Sequence, residues 1–507
     1  MDRDALEDAT RIVEMMEERH MRVAGNAMVW KLVQMGGVKI IYLIRLLVLA
    51  ILLAPADFGL VAIATAATGF LLSLTNFGLV PAVVQAENMD DAKYDVAWTF
   101  DMTRSFLVAS LTIVFAPMIA NIFAEPLAVP IIQALALRPF IESMTSIKVA
   151  ALNRDLSFRP LAYLKIVEAI SNTVISVALA NFVGVWAIVF GSIGGAVSMV
   201  IASYILAPYR PHLSFNWKAA SSLMNFGGWV FLTSLIAMAG NYGLRIAISR
   251  QLGAEGLGLY FIAVQLAYLP NEVANEAVGA VAFPLFARLQ GNISQATRAF
   301  RALFSGLAAV IFPVCALIIV LAPTLTHDIL GPSWAGTEEV IRVLSLVVMI
   351  GTFGEVAVSV FKGFGQPYRI TFLEVIQSSI SISFVWVLTR RFGLAGSAMA
   401  WLPAVLCSQL LSVRFLQNIL DHPLRGLQNP LIAILAATSL CFVVAMTASQ
   451  LIPGVVGLVT AAALGGVSTV LLLWVADRRY KLGFAHNFAL AFPQFASFLR
   501  LIPSKPE

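Results

Sequence analysis

Lys39 and Arg45 lie inside one apolar run, and neither has an acidic residue three or four positions away. A cation at the centre of a membrane helix costs about 2.5–3.5 kcal/mol, so neither belongs against lipid. On a helical wheel Lys31, Lys39 and Arg45 fit an arc of about 120°, with Gln34 and Tyr42 on or near it. Lys31 stands near the end of the run, where its stem can snorkel to an interface. The deeper two form a cationic wall suited to phosphate, which an arginine fork grips through two parallel hydrogen bonds. An interhelical ion pair is the plainer expectation for the same two residues.

Among the 33 Lys and Arg residues, those within or beside such runs include Lys31, Lys39, Arg45, Arg104, Arg138, Lys148, Lys165, Arg245 and Arg342. Some have local partners, because helical side chains three or four positions apart are neighbours. These are Asp101 with Arg104, Arg138 with Glu142, and Lys165 with Glu168. Arg138, near the middle of its run, joins the phosphate candidates, and so does Arg245. The second half of the chain carries the opposite sign. Gln265, Tyr268, Glu272 and Glu276 share a stripe of about 80°, and Pro270 interrupts the local backbone bonding within it. Glu355 and Glu374 add two more acids. The plain expectation is that these acids pair with first-half cations; the sharper one is a site that responds to a proton or a sodium ion, formed by Glu272, Glu276, Glu355 and Glu374.

No enzymatic constellation accompanies them. The chain lacks a GxxxxGK[ST] nucleotide loop. Cys315, Cys407 and Cys441 are solitary, and the five histidines show no ligand spacing, so neither a disulfide framework nor a metal or other cofactor is expected. Asp90-Asp91 reads as a solvated loop.

These residues must be held by membrane spans. The 507 residues are 59% hydrophobic and only 12% charged, with mean hydropathy +0.86; soluble chains carry about twice that charged fraction. A span needs about 20 mostly apolar residues. Fourteen segments qualify: 29–53, 58–84, 98–122, 128–150, 160–182, 185–207, 224–249, 257–287, 299–322, 339–362, 370–389, 393–416, 431–452 and 455–476. Alternating the loops puts 21 Lys and Arg residues on the terminal side and three (Arg250, Arg390, Arg391) on the other. That bias predicts cytoplasmic termini and explains the net charge of +5 without a nucleic-acid partner.

The chain also repeats. Asp57-Phe58-Gly59-Leu60 matches Gly256-Leu257-Gly258-Leu259 at an offset of 199, which also carries Asn76 to Asn275. Ile132–Leu137 resembles Ile341–Leu346, and Tyr163–Val167 resembles Phe372–Ile376, both at 209. The expected fold is an all-α polytopic membrane protein of about fourteen transmembrane helices. Two six-helix bundles, 29–207 and 224–416, form a parallel repeat of the kind found in alternating-access transporters. A cytoplasmic segment 1–28 precedes them, a cytoplasmic linker 208–223 joins them, and two additional helices follow in 431–476. In the tail 477–507, Phe484, Phe488, Phe492, Phe495 and Phe498 recur at helical spacing, as in a segment lying at the interface.

Several segments resemble the polysaccharide transporter family, the Wzx-type flippases of the multidrug/oligosaccharidyl-lipid/polysaccharide exporter superfamily. They are Asn153-Arg154-Asp155-Leu156-Ser157-Phe158-Arg159, Gly184-Val185-Trp186-Ala187 and Pro208-Tyr209-Arg210-Pro211. Leu252-Gly253-Ala254-Glu255-Gly256-Leu257-Gly258-Leu259-Tyr260, Phe283-Pro284 with Ala287–Gln290, and Leu330-Gly331-Pro332-Ser333-Trp334 complete the set. The resemblance implies a flippase for polyprenyl-diphosphate-linked oligosaccharides in the bacterial inner membrane, serving exopolysaccharide, capsule or O-antigen synthesis. Membrane lipids and a polysaccharide polymerase with its export machinery are the implied partners. Related sequences often carry an acid just before the position of Arg245, where this chain has Leu244; ion coupling then falls to Glu272 and Glu276. A drug/cation antiporter of the same superfamily and a membrane glycosyltransferase or polymerase are the competing classes.

Overall fold

Three prolines divide helices that composition alone would run together. In a computed structural model that describes residues 30, 33–75, 91–154, 157–215, 228–480 and 483, every regular element is helical. A π-helical turn at Val33–Gly37 leads into α1 (Val38–Leu52), followed by α2 (Pro55–Leu74) and α3 (Asp91–Ile122). The expected single span 128–150 is instead three short helices: α4 (Ala128–Leu135), α5 (Leu137–Ser143) and α6 (Val149–Arg154). Pro139 has no N–H for the carbonyl of Leu135, and its ring crowds that carbonyl, so the helix breaks there. The first half closes with α7 (Phe158–Val183) and α8 (Trp186–Leu206).

The second half opens with α9 (Gly228–Ala267), interrupted at Gly253, where φ is 69° and only glycine turns without strain. Pro270 withholds a donor from Leu266, and the chain resumes as α10 (Leu269–Arg288). Then come α11 (Ile293–Pro323), α12 (Thr337–Gly363), α13 (Tyr368–Met399, interrupted at Gly393) and α14 (Trp401–Gln417). Pro403 stands four residues after Met399 and ends α13 for the same reason. The described helices finish with the antiparallel pair α15 (Gln428–Leu451) and α16 (Gly454–Tyr480), which pack on α11.

Nine helices among the described residues are long and apolar enough to cross a bilayer. Their outward faces expose Val114, Phe182, Ile205, Val387 and Leu451. Side chains of that kind are at home in lipid, not in water. The protein is an all-helical, multi-pass membrane protein.

The two halves meet along α2 and the second part of α9. A Cβ on Gly59 would lie 1.9 Å from the carbonyl oxygen of Ala254, and one on Gly258 would lie 1.8 Å from that of Pro55. Pro55 and Ala254 stand 199 residues apart, as do Gly59 and Gly258, so the contact is reciprocal within the repeat. Other bonds cluster at the same end of the molecule. Trp334 is fully buried; its indole N–H donates to Ala50 O (2.8 Å), and its ring meets Phe58 edge-on. Glu125 accepts the N–H of Ala254 (2.6 Å), Ser249 donates to Phe123 O, and Arg250 donates to Ile122 O (both 2.7 Å). This end is sealed.

Candidate functional site

Beyond the seal the halves part around a cavity with two chambers. The first, about 450 Å³, is lined by Lys39, Tyr42, Arg45, Thr65, Arg138, Asn172 and Ser192 from the first half, and by Gln265 and Glu272 from the second. The second, about 420 Å³, lies on the other side of Gln265 and Glu272 and holds Asn241, Arg245, Tyr260, Tyr268, Glu374, Gln377 and Trp401. Phe261, Gln265 and Glu272 line both chambers, so one elongated polar ligand can occupy the two together.

Arg45 is the best-placed cation of the first chamber. Its Nη1 donates to Asn172 Oδ1 (3.0 Å), and its guanidinium lies 5.3 Å from the centre of the Tyr42 ring. Among the described residues no carboxylate lies within 4.0 Å of it, and its Nε is buried without a hydrogen-bond partner. A buried donor left unmade costs about 1–3 kcal/mol, more when it is charged, so an anion entering here meets a prepared donor.

The other first-half cations are already engaged. Arg138 donates from Nε to Glu142 (2.7 Å), from Nη1 to Ser192 (2.9 Å) and from Nη2 to Glu168 (3.0 Å). Glu168 is buried and also accepts from Lys165 (2.9 Å). The three pairs expected from spacing all form, Arg104 with Asp101 at 2.8 Å among them, and Glu168 links two of them into one network. Lys39 lacks an acid on its own helix but meets Glu272 of α10 at 3.1 Å.

That contact separates the roles expected of Glu272 and Arg245. The plain expectation paired the acids of the stripe with first-half cations, and the structure pairs Glu272 with Lys39 of the first half and not with Arg245. Arg245 lies in the second chamber, away from Lys39, Arg45 and Arg138. Glu374 lines that chamber as well, whereas Glu355 accepts from Asn271 (3.2 Å) just behind it. Arg342 is held by Glu338 (2.6 Å), which also meets His327 (3.0 Å). The side chain of Glu276 lies outside the described residues, as do Lys31, Asn76, Asp90 and the aromatic stripe of the tail.

Asn172, Ser192, Tyr260, Gln377 and Trp401 were not singled out in the sequence. Asn172 had a legible signal, because Lys165, Glu168, Asn172 and Ser176 recur at helical spacing along α7. Trp401 had none; it reaches the cavity only because α13 ends early and α14 turns it inward, where it donates to Tyr260 Oη (3.0 Å).

A family model described as "polysaccharide biosynthesis protein" matches residues 48–339, more than half of the chain and most of the elements around both chambers. The chain belongs to this family. Among curated proteins, the succinoglycan biosynthesis transport protein ExoT of Rhizobium meliloti is similar, 24% identical over 470 residues, covering 89% of this chain and 92% of its own. The lipopolysaccharide biosynthesis protein WzxC of Escherichia coli is 22% identical over 353 residues, 69% of each chain. Among solved structures, the lipid II flippase MurJ in an inward closed conformation superposes with a TM-score of 0.72 at 13% identity, covering 89% of this chain and 99% of that one. A MATE family multidrug resistance transporter in its inward-facing conformation gives 0.62 at 15% identity, covering 75% and 95%. These polysaccharide biosynthesis relatives are named as transporters and biosynthesis proteins, and the fold is that of MurJ and MATE transporters.

Proposed function

We propose that this member of the polysaccharide biosynthesis family is a flippase. It moves polyprenyl-diphosphate-linked oligosaccharide units across the bacterial inner membrane for exopolysaccharide, capsule or O-antigen assembly. The observation that carries the reading is Arg45, a guanidinium without an acid partner and with a buried, unbonded Nε, opening on a chamber between the two halves. The diphosphate binds Arg45 and Lys39, with Arg138 on the chamber wall fixed by its own acids. An amphiphilic drug cation, the cargo of the competing antiporter class, has no reason to choose that chamber.

In this reading the fourteen spans form two six-helix bundles plus α15 and α16, with both termini cytoplasmic. The reciprocal contact of Gly59 with Ala254 and of Gly258 with Pro55 supports a two-fold relation between the bundles. The sealed end then faces the periplasm, and the cavity loads from the cytoplasm. Transport opens the seal and closes the cytoplasmic mouth, the rocking expected of parallel repeats. Glu272, with Glu276, Glu355 and Glu374, forms the group through which a proton or sodium ion could drive that exchange: only an ion bound differently by the two states shifts their balance.

The test is transport in vesicles. Purified full-length protein is reconstituted into proteoliposomes with a fluorescent polyprenyl-diphosphate oligosaccharide in one leaflet. Movement to the other leaflet, blocked by Arg45→Ala, supports the flippase. Transport of an organic cation instead, or sugar transfer without movement, supports one of the other classes.

A further inference from the structure

The second chamber has the make-up of a sugar site with a charge requirement. Trp401 gives its indole N–H to Tyr260 Oη, so what the indole offers the cavity is its ring, a surface on which the C–H face of a pyranose stacks. Gln265 and Gln377 bring amides that both donate and accept, as sugar hydroxyls require. The volume, about 420 Å³, falls within the roughly 300–1,000 Å³ of small-molecule sites.

Arg245 sets the charge. It lines the chamber, and among the described residues no carboxylate lies within 4.0 Å of its guanidinium. Among the described residues no hydrogen bond or ion pair ties it to a neighbour. Glu374 shares the chamber but stands beyond ion-pair distance. A partly buried cation without its anion is costly, and the cost falls when a ligand brings the anion. The guanidinium fork fits a carboxylate bidentately.

We propose that the second chamber is a subsite for a pyranose bearing a carboxylate, a uronic acid or an acid-substituted hexose, held by Arg245 and stacked on Trp401. The proposal rests on the flippase reading, since it places the sugars of the cargo beside a diphosphate held at Arg45. The shared lining at Phe261, Gln265 and Glu272 lets one head group span both chambers.

Two synthetic probes test it: farnesyl diphosphate joined to glucuronosyl-glucose, and the same lipid joined to cellobiose. Binding is measured on the full-length protein in nanodiscs. The unmodified protein should bind the acidic probe about tenfold more tightly, the worth of one charged hydrogen-bonded contact. Arg245→Gln should make the two affinities equal, and Arg245→Lys, which keeps the charge but not the fork, should retain part of the preference. Arg45→Gln should weaken both probes alike and leave their ratio intact. Equal affinities in the unmodified protein, or a preference that survives Arg245→Gln, would overturn the subsite. If Arg45→Gln leaves both affinities unchanged, the diphosphate reading fails instead, and the ratio still decides the sugar subsite.

Discussion

Lys39 Nζ lies 3.1 Å from Glu272 Oε2, across 233 residues of chain, and the pair joins α1 of the first half to α10 of the second. Neither partner is deeply enclosed, with side chains 20% and 55% exposed. Pairs as open as this are worth about 0–1 kcal/mol. The bond is therefore a strap that a stronger anion can undo. A diphosphate brings more negative charge and more acceptor oxygens than one carboxylate, so cargo held at Arg45, as proposed, would compete with Glu272 for Lys39. Release of Glu272 would then loosen α10 from α1 and couple cargo arrival to movement of the halves.

Removing the competitor should tighten cargo binding. Glu272→Gln should raise the affinity for farnesyl diphosphate by about threefold to tenfold, the worth of one modest competing ion pair. It should slow transport as well, since the strap no longer resets after release. Titration of nanodisc-held protein gives the first quantity and vesicle transport the second; an affinity that falls on this change would contradict the competition.

Arg45→Ala should abolish glycan export in a deletion strain while protein abundance stays near normal. The loss corresponds to about 1.5–3 kcal/mol per charged hydrogen bond, roughly tenfold to a hundredfold in binding. Arg45→Lys should restore only part of the function, because an ammonium cannot present the fork. Asn172→Ala should act through Arg45, lowering affinity without abolishing it, since Asn172 orients the guanidinium through a 3.0 Å bond. Normal export by Arg45→Ala would remove the diphosphate site from this chamber.

How far the sequence foretold this arrangement depended on where each partner lay. Pairs within one helix, such as Arg138 with Glu142 and Lys165 with Glu168, follow from spacing because one backbone fixes both residues. The break near Pro270 was visible for the same reason. The ion pair between Lys39 and Glu272, and the inward turn of Trp401, depend on helices far apart in the chain, and no local period records how those helices meet. Composition revealed the membrane class, and the excess of cations in one half revealed that a charged interior existed. It did not divide that interior: Arg245 is a cation within an apolar run like Lys39 and Arg45, and only the fold shows that it lines a different chamber. The breaks within segment 128–150 went unread for a plainer reason, since its apolar character hid the effect of Pro139 on Leu135.

Gly59→Ala or Gly258→Ala should force open the sealed end. The added methyl would stand 1.9 Å or 1.8 Å from a backbone carbonyl oxygen, and backbone has little room to yield. Overpacking of this kind costs about 1–3 kcal/mol, charged here to one conformation of the transporter. A spectroscopic distance from residue 125 to residue 254, or a cysteine cross-link between the same positions, should show the end parted in both variants. A cross-link as efficient as in the parent protein would show that the contact absorbs the methyl.

Arg138 and Glu168 should behave as scaffold where Arg45 behaves as contact. Glu168 is buried at 3% exposure and accepts from both Arg138 and Lys165. Breaking a buried pair by removing one partner costs about 3–5 kcal/mol, because the other charge is left without compensation. Arg138→Met alone should therefore lower the abundance and thermal midpoint of the protein, and Glu168→Leu alone should do the same. The double variant Arg138→Met/Glu168→Leu removes both charges and should recover much of the loss, because Glu142 and Lys165 are both exposed enough to solvate. Diphosphate affinity in the recovered double variant then separates the roles: retained within about threefold, it makes Arg138 a support for the wall, whereas a fall of about a hundredfold makes it a direct cargo contact beside Arg45.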